Sequence, residues 1–329
     1  LDIVPSFLNK PNLILSAQLD QSKIAKYLVS DIAHEINQEP QNARFQMKNG
    51  KVALFAKSSE GENLNIKKSA KLIALKIKEN SKILGVSTVT NHHSDAHIES
   101  FISLPLTVEK IPAEIKSNDD AEALGIKTLI AKGTSNFAYS PRNRIHNIHL
   151  GAAKFNGVLI KPGETFSFLK ILGSTGPNGG YLPELVIREN RTVPEYGGGI
   201  CQVSTTCFRA AVKAGLPIIE RQPHAYPVRY YNPQGTDATV YIPSPDLKFK
   251  NDYSSYILIQ TKVQGNTLIF EFWGTLDGRE VSFEGPYQYN KKSDGSMNTV
   301  WYRTITWPSG KIKKDTFGSH YNSPLKYPH

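Results

Sequence analysis

Cys201 follows three consecutive glycines, in Tyr196-Gly197-Gly198-Gly199-Ile200-Cys201-Gln202-Val203-Ser204-Thr205-Thr206. Glycine admits backbone conformations that a Cβ forbids, and it lets a ligand approach the chain closely. Residues Gln202 to Ala214 read as a helix closed by Gly215, with Pro217 beyond it. The cysteine then sits at a helix N-terminus, where free N–H groups and the helix dipole favour thiolate over thiol. The same N–H groups could receive an oxyanion formed on an attacked carbonyl. These are the requirements of an activated nucleophile. The structural alternative is a small thiol buried in a tight turn. Cys207 falls mid-helix beside Phe208 and reads as core packing. On one helix the two cysteines are separated by about 9 Å along the axis and face different ways, so no disulfide is expected.

A thiolate nucleophile needs a base. His224 is the next histidine along the chain, and Pro223 and Pro227 restrict the backbone around it. Asp237 opens the extended run Ala238-Thr239-Val240 and is a candidate to orient the imidazole. Such partners meet in space rather than in sequence, so a surface histidine and a turn aspartate stay open as alternatives. Arg142, Arg144 and Arg221 could clamp a carboxylate bidentately, although solvated or structural arginines are commoner. The aromatic strand after Lys161-Pro162-Gly163 reads as packing. His92, His93, Asp95 and His97 are metal-ligand types, but no scaffold spacing supports chelation and the cluster reads as a polar loop. No cofactor is called for.

These residues need elements to position them. Residues 20–38 read as a helix capped by Asp20, with Ile24, Tyr27, Leu28, Ile32 and Ile36 at helical spacing. A hairpin follows, from Ala43 to Lys48 and from Lys51 to Ala56 about Asn49-Gly50. A second helix carries Ile66, Ala70, Ile73 and Ile77 on one stripe, and Ile98 to Val108 reads as extended. From Gly125 onward Gly and Pro become dense and β-branched runs short, as in a β-rich domain with many turns. Tyr256 to Val263 with Leu268 to Trp273, and Thr299 to Trp307 with Lys311 to Thr316, read as hairpins. The expected fold is α+β. A helix–hairpin–helix domain (1–112) and a linker (113–124) precede a β-rich mixed domain (125–265), and a β-hairpin extension (266–329) ends the chain.

The chain has 329 residues, 39% hydrophobic, and a net charge of +10. That composition folds, and no apolar run reaches the ~20 residues of a membrane-spanning helix. The chain starts at Leu1 rather than Met, which leaves room for a leader or an N-terminal membrane anchor ahead of it. The excess of basic residues favours an anionic partner such as wall polymers. They are scattered and not interleaved with stacking aromatics, which argues against nucleic acid.

Residues 125 to 262 resemble the VanW domain. The match runs through Arg144-Ile145-His146-Asn147-Ile148, Asn156-Gly157 with Lys161 to Phe168, and the glycine–cysteine block. It continues through Glu220-Arg221 with His224, Asp237 to Val240, and Asp246 to Asp252. The N-terminal unit is similar to the peptidoglycan-binding domain that often precedes VanW domains in exported or membrane-anchored bacterial proteins. Cys207 departs from the family, which more often has an aliphatic residue there. The resemblance implies L,D-transpeptidase chemistry with Cys201 as nucleophile, His224 exchanging protons and Asp237 orienting it. Gly198, Gly199, Gln202, Ser204, Arg144 and Arg221 are then the expected contacts to peptidoglycan stem peptides. A non-catalytic wall-binding module and a cysteine hydrolase acting on stem peptides are the alternatives.

Overall fold

The computed structural model describes residues 2–6, 14–48, 51–83, 103–116, 123–188 and 191–327. The architecture is mixed α+β, in two compact units: Leu1–Ala43 with Lys57–Lys116, and Arg44–Ala56 with Ser117–His329.

In the first unit, the Asp20 carboxylate accepts from the Ser22 N–H at 2.8 Å and caps Gln21–Tyr27. Helical winding continues to Ile36, with one turn, Leu28–Ile32, in the wider π form. Leu28 and Ala33 from this stretch pack with Leu64, Ala70 and Ile73, and Ile24, Ile36, Ile66 and Ile77 lie against them. The predicted stripes are therefore the core, except that Tyr27 is 58% exposed. The second helix is Ile66–Ile83, and Gly61–Leu64 pairs antiparallel with Val108–Ile111. The Asn49-Gly50 turn, the histidine cluster at 92–97 and most of the segment predicted as extended before Leu104 fall outside the described residues.

The second unit is built on an antiparallel sheet in the order Thr128–Asn136, Thr267–Gly274, Ile257–Gln264, Leu159–Ile160. The helix Ile200–Lys213 lies on this sheet at close range. A Cβ at Gly133 would stand 2.3 Å from the Thr206 carbonyl, so only glycine permits the approach. Helix Arg142–Phe155 packs beside it, and Ile148, Phe155, Val203, Phe208, Phe270 and Phe272 are buried between the layers. The Cys201 helix ends as expected. Gly215 takes φ +69°, its N–H donates to Val212, and Leu216 donates to Ala211, closing a Schellman motif. Its start is two residues earlier than the predicted Gln202.

Four smaller sheets complete this unit among the described residues. Ile218–Glu220, Lys248–Lys250 and Thr165–Ser167 form one, and Pro183–Arg188 pairs with Arg191–Tyr196. Hairpin Arg44–Lys48 with Lys51–Ala56 also clusters here, and Gly157 lies so close that a Cβ would meet that of Arg44 at 2.8 Å. The C-terminal segment is a three-stranded meander: Glu280–Tyr289, Met297–Thr306 and Ile312–Tyr321. Its last two strands are the predicted hairpin. The first is hidden from sequence reading because it is mostly exposed and interrupted by Gly285-Pro286 at a bulge. Among the described residues no helix is long and apolar enough to cross a membrane.

Candidate active site

Gly199 caps the Cys201 helix at φ +110°, a conformation that favours glycine. A Cβ there would stand 3.0 Å from Arg144 Cγ, and one at Gly198 would stand 2.8–2.9 Å from Glu184. The glycines thus let the motif slide between helix Arg142–Phe155 and strand Pro183–Arg188. Asn147 pins it, donating from Nδ2 to the Gly198 carbonyl at 3.0 Å. The N–H groups of Ile200 and Gln202 are taken by the Gly197 and Gly199 carbonyls.

Cys201 is the second residue of the helix and is half-buried. Its Sγ lies 3.4 Å from Thr239 Oγ1 and 3.5 Å from the Val240 carbonyl. His224 is buried, and both its backbone N–H and its Nδ1 bond to Asp237 Oδ2, at 2.7 and 2.6 Å. An ionised carboxylate only accepts, so Nδ1 carries the proton. Nε2 makes no hydrogen bond of regular geometry, and Cys201 is a group that couples to it electrically. The imidazole stacks on Tyr231 with ring centres 4.3 Å apart. Asp237 Oδ1 accepts from Arg221 Nη2 at 3.2 Å and from the Tyr321 hydroxyl. Arg221 Nε also donates to the Asp237 carbonyl at 2.6 Å.

Protonation follows from these contacts. Burial raises the Cys201 pKa, but contact with His224 and hydrogen bonds from Thr239 outweigh it and the thiol falls below its ordinary value. Burial lowers the His224 pKa, yet its hydrogen bond to Asp237 and its interaction with Cys201 raise it to about 9. For Asp237 burial works upward, and the hydrogen bond and charge of His224 with the charge of Arg221 carry it well below the carboxylate range. These contacts bias Cys201 toward thiolate, His224 toward imidazolium and Asp237 toward carboxylate. Cys207 is the opposite case, since burial alone pushes it far up.

Cys201 and His224 both open on a cavity of about 1070 Å³, with Gly199, Arg144, Tyr230 and Thr239 among its lining. That volume is at the upper end of small-molecule sites and suits a peptide-sized ligand. Arg144 is held there by Gln202 Oε1 at 2.9 Å and Ser140 Oγ at 2.7 Å, with Tyr230 facing its guanidinium at 4.0 Å. The other predicted contact residues are set back from it. Gln202 and Ser204 are fully buried and donate to Ser135 Oγ and the Ala238 carbonyl. Gly198 lies against Glu184, Arg221 is spent on Asp237, and Arg142 is exposed at its helix start. Tyr231 and Tyr321 carried no sequence signal, and Thr239 was read only as part of the block that follows Asp237. Tyr321 meets Asp237 across 84 residues, a contact that no spacing rule announces.

Residues 143–273 match the family described as "VanW like protein", and residues 3–84 match the one described as "Putative peptidoglycan binding domain". This chain carries a VanW-like domain behind a peptidoglycan-binding one. The peptidoglycan-binding match relates the chain to the cell wall. It is 36% identical over 166 residues to "Uncharacterized protein YoaR" of Bacillus subtilis (strain 168), covering 50% of this chain and 52% of the relative. It is 30% identical over 168 residues to "Vancomycin B-type resistance protein VanW" of Enterococcus faecalis (strain ATCC 700802 / V583), covering 48% and 56%. The chain thus spans about half the length of these curated relatives. No solved structure matches it significantly. The VanW-like match contains Cys201, His224 and Asp237, and it stops before the C-terminal meander.

Proposed function

We propose that the VanW-like domain is a peptidoglycan L,D-transpeptidase that works through an acyl-enzyme on Cys201. The observation that carries this reading is the half-buried Cys201 thiol facing a peptide-sized cavity beside His224, whose Nδ1 is held by Asp237. In this reading the thiolate attacks the carbonyl of the third residue of a tetrapeptide stem. His224 then gives its Nε2 proton to the leaving D-alanine amine as the C–N bond breaks and a thioester remains. The side-chain amine of a second stem's diamino acid attacks the thioester and passes a proton to His224. Cys201 leaves as thiolate, and a 3–3 cross-link is formed. With the Ile200 and Gln202 N–H groups occupied, the N–H of Cys201 itself is the first-turn donor best suited to the oxyanion. Asp237 orients the imidazole, and Arg144 and Gly199 are the predicted contact residues that border the bound stem.

The peptidoglycan-binding match supports peptidoglycan as the partner and the outer face of the cell as the place of work. The test is intact-protein mass spectrometry of wild type and Cys201→Ala after incubation with disaccharide-tetrapeptide, with small products analysed alongside. An adduct dependent on Cys201, released D-alanine and a 3–3 dimer are expected. An adduct that resolves only to a shortened stem indicates a hydrolase. A folded protein giving neither adduct nor product, yet retained on wall material, indicates a binding module.

A further inference from the structure

The C-terminal meander reaches the acid of the site through a single side chain. Tyr321, at the end of its last strand, is fully buried and donates to Asp237 Oδ1. The same hydroxyl accepts from the Gly235 N–H at 2.7 Å, so one oxygen ties the backbone two residues ahead of Asp237 to its carboxylate. Trp301, on the middle strand, donates to the Gly235 carbonyl at 2.8 Å. Arg221 completes the clamp, holding Gly235 and Asp237 on one side and Ser319 Oγ at 2.9 Å on the other. Gly235 itself is at φ +99°, and a Cβ there would strike Thr299 Oγ1 at 2.5 Å, so only glycine lets this turn lie so close to the meander. Beyond the strand end, the Asn322 N–H donates to the carbonyl of Ala225, next to His224.

We propose that Tyr321 is a positioning residue for the Cys201–His224 pair, acting through Asp237, and that the meander is thereby a working part of the active site. This rests on the reading of Cys201 and His224 as a functional pair. Oδ2 is occupied twice by His224, and Oδ1 is shared by Arg221 and Tyr321. Removing the phenol leaves Oδ1 to the guanidinium alone. The carboxylate then turns toward Arg221 and away from Nδ1, the imidazolium loses its stabilising contact, and the thiol rises.

The readout is the pH profile of Cys201 alkylation by iodoacetamide in the full chain. Cys201→Ala serves as the blank and thermal melts confirm folding. Buried Cys207 does not compete for reagent. The wild type should show an inflection below the ordinary thiol value, Asp237→Asn one clearly higher, and Tyr321→Phe one displaced in the same direction. A shift of about one pH unit is a tenfold drop in thiolate on the low-pH limb. A folded Tyr321→Phe whose profile superimposes on wild type, or moves to lower pH, overturns the proposal and reduces Tyr321 to packing. Should Tyr321→Phe fail to melt cooperatively, Trp301→Phe, which removes the indole donor and leaves the Gly235 carbonyl to Arg221 Nη2, should shift the profile the same way by a smaller amount. An unshifted profile there is likewise fatal. If the wild type itself titrates as an ordinary thiol, the functional pair falls first and this proposal with it, a result distinct from failure of Tyr321→Phe alone.

Discussion

Cys201 and His224 favour opposite charges because each can supply the other's counter-ion in a site that strips away water. The thiol is lowered and the imidazole is raised to about 9, so the ion pair exists from the thiol's own titration up to about pH 9. Above that, in the proposed cycle, His224 would lack the proton needed by the leaving amine. Turnover should therefore be bell-shaped, its lower limb set by Cys201 and its upper limb near 9, as a rate profile with saturating stem peptide would read. His224→Asn removes the cause of the lowered thiol and leaves burial, which acts upward. Its alkylation rate at neutral pH should fall by about tenfold or more, measured against wild type with the same reagent. Equal rates would separate the two residues chemically.

At the scale of elements, the glycine run decides how close the Cys201 helix can come to its neighbours. Gly199→Ala must place a side chain at φ +110° against Arg144, at a cost of about 1–3 kcal/mol. The expected result is a lower melting temperature together with a displaced Arg144, seen as weaker saturation by the stem peptide. An alanine variant that melts like wild type would mean the cap relaxes freely. The helix and its C-terminal glycine were legible in sequence because capping chemistry is local. The assignment of Gln202 and Ser204 to substrate was read from their place in the motif. Position 202 lies one residue past the cysteine and 204 lies three past it. Helical geometry turns both inward, Gln202 toward the sheet and Ser204 toward the segment at Ala238, where their hydrogen bonds are internal.

For the whole molecule, the meander is fastened to the middle and the C-terminal end of the Cys201 helix. Trp301 and Phe317 pack on Phe208, and buried Arg303 pairs with Asp315 while donating to the Val212 carbonyl near the helix end. Arg303→Met leaves that carbonyl without its guanidinium and Asp315 without its buried partner, and should cost about 3 kcal/mol in denaturant unfolding. The net charge of +10 belongs to this scale too. If anionic polymers add to peptidoglycan binding, retention of the chain on whole cell walls should weaken as salt shortens the screening length toward about 3 Å at 1 M. Retention on walls stripped of those polymers should change little.

The amino-acid sequence by itself determined the local features. These are the Asp20 cap, the apolar stripes of the two N-terminal helices, the glycine turn that delivers Cys201 to a helix start, and the hairpins whose burial alternates. Each follows from interactions within a few residues, where backbone preference and side-chain period act directly. His224 and Asp237 could be named as candidates from composition and family likeness, but their contact was decided only by the fold. The tertiary structure also decided what surrounds them: the Thr239 hydroxyl at Sγ, Tyr231 under the imidazole, and Tyr321 on the far carboxylate oxygen. Such contacts join residues far apart in the chain, and only the packing of the helix on its sheet and of the meander on that helix brings them within hydrogen-bonding reach.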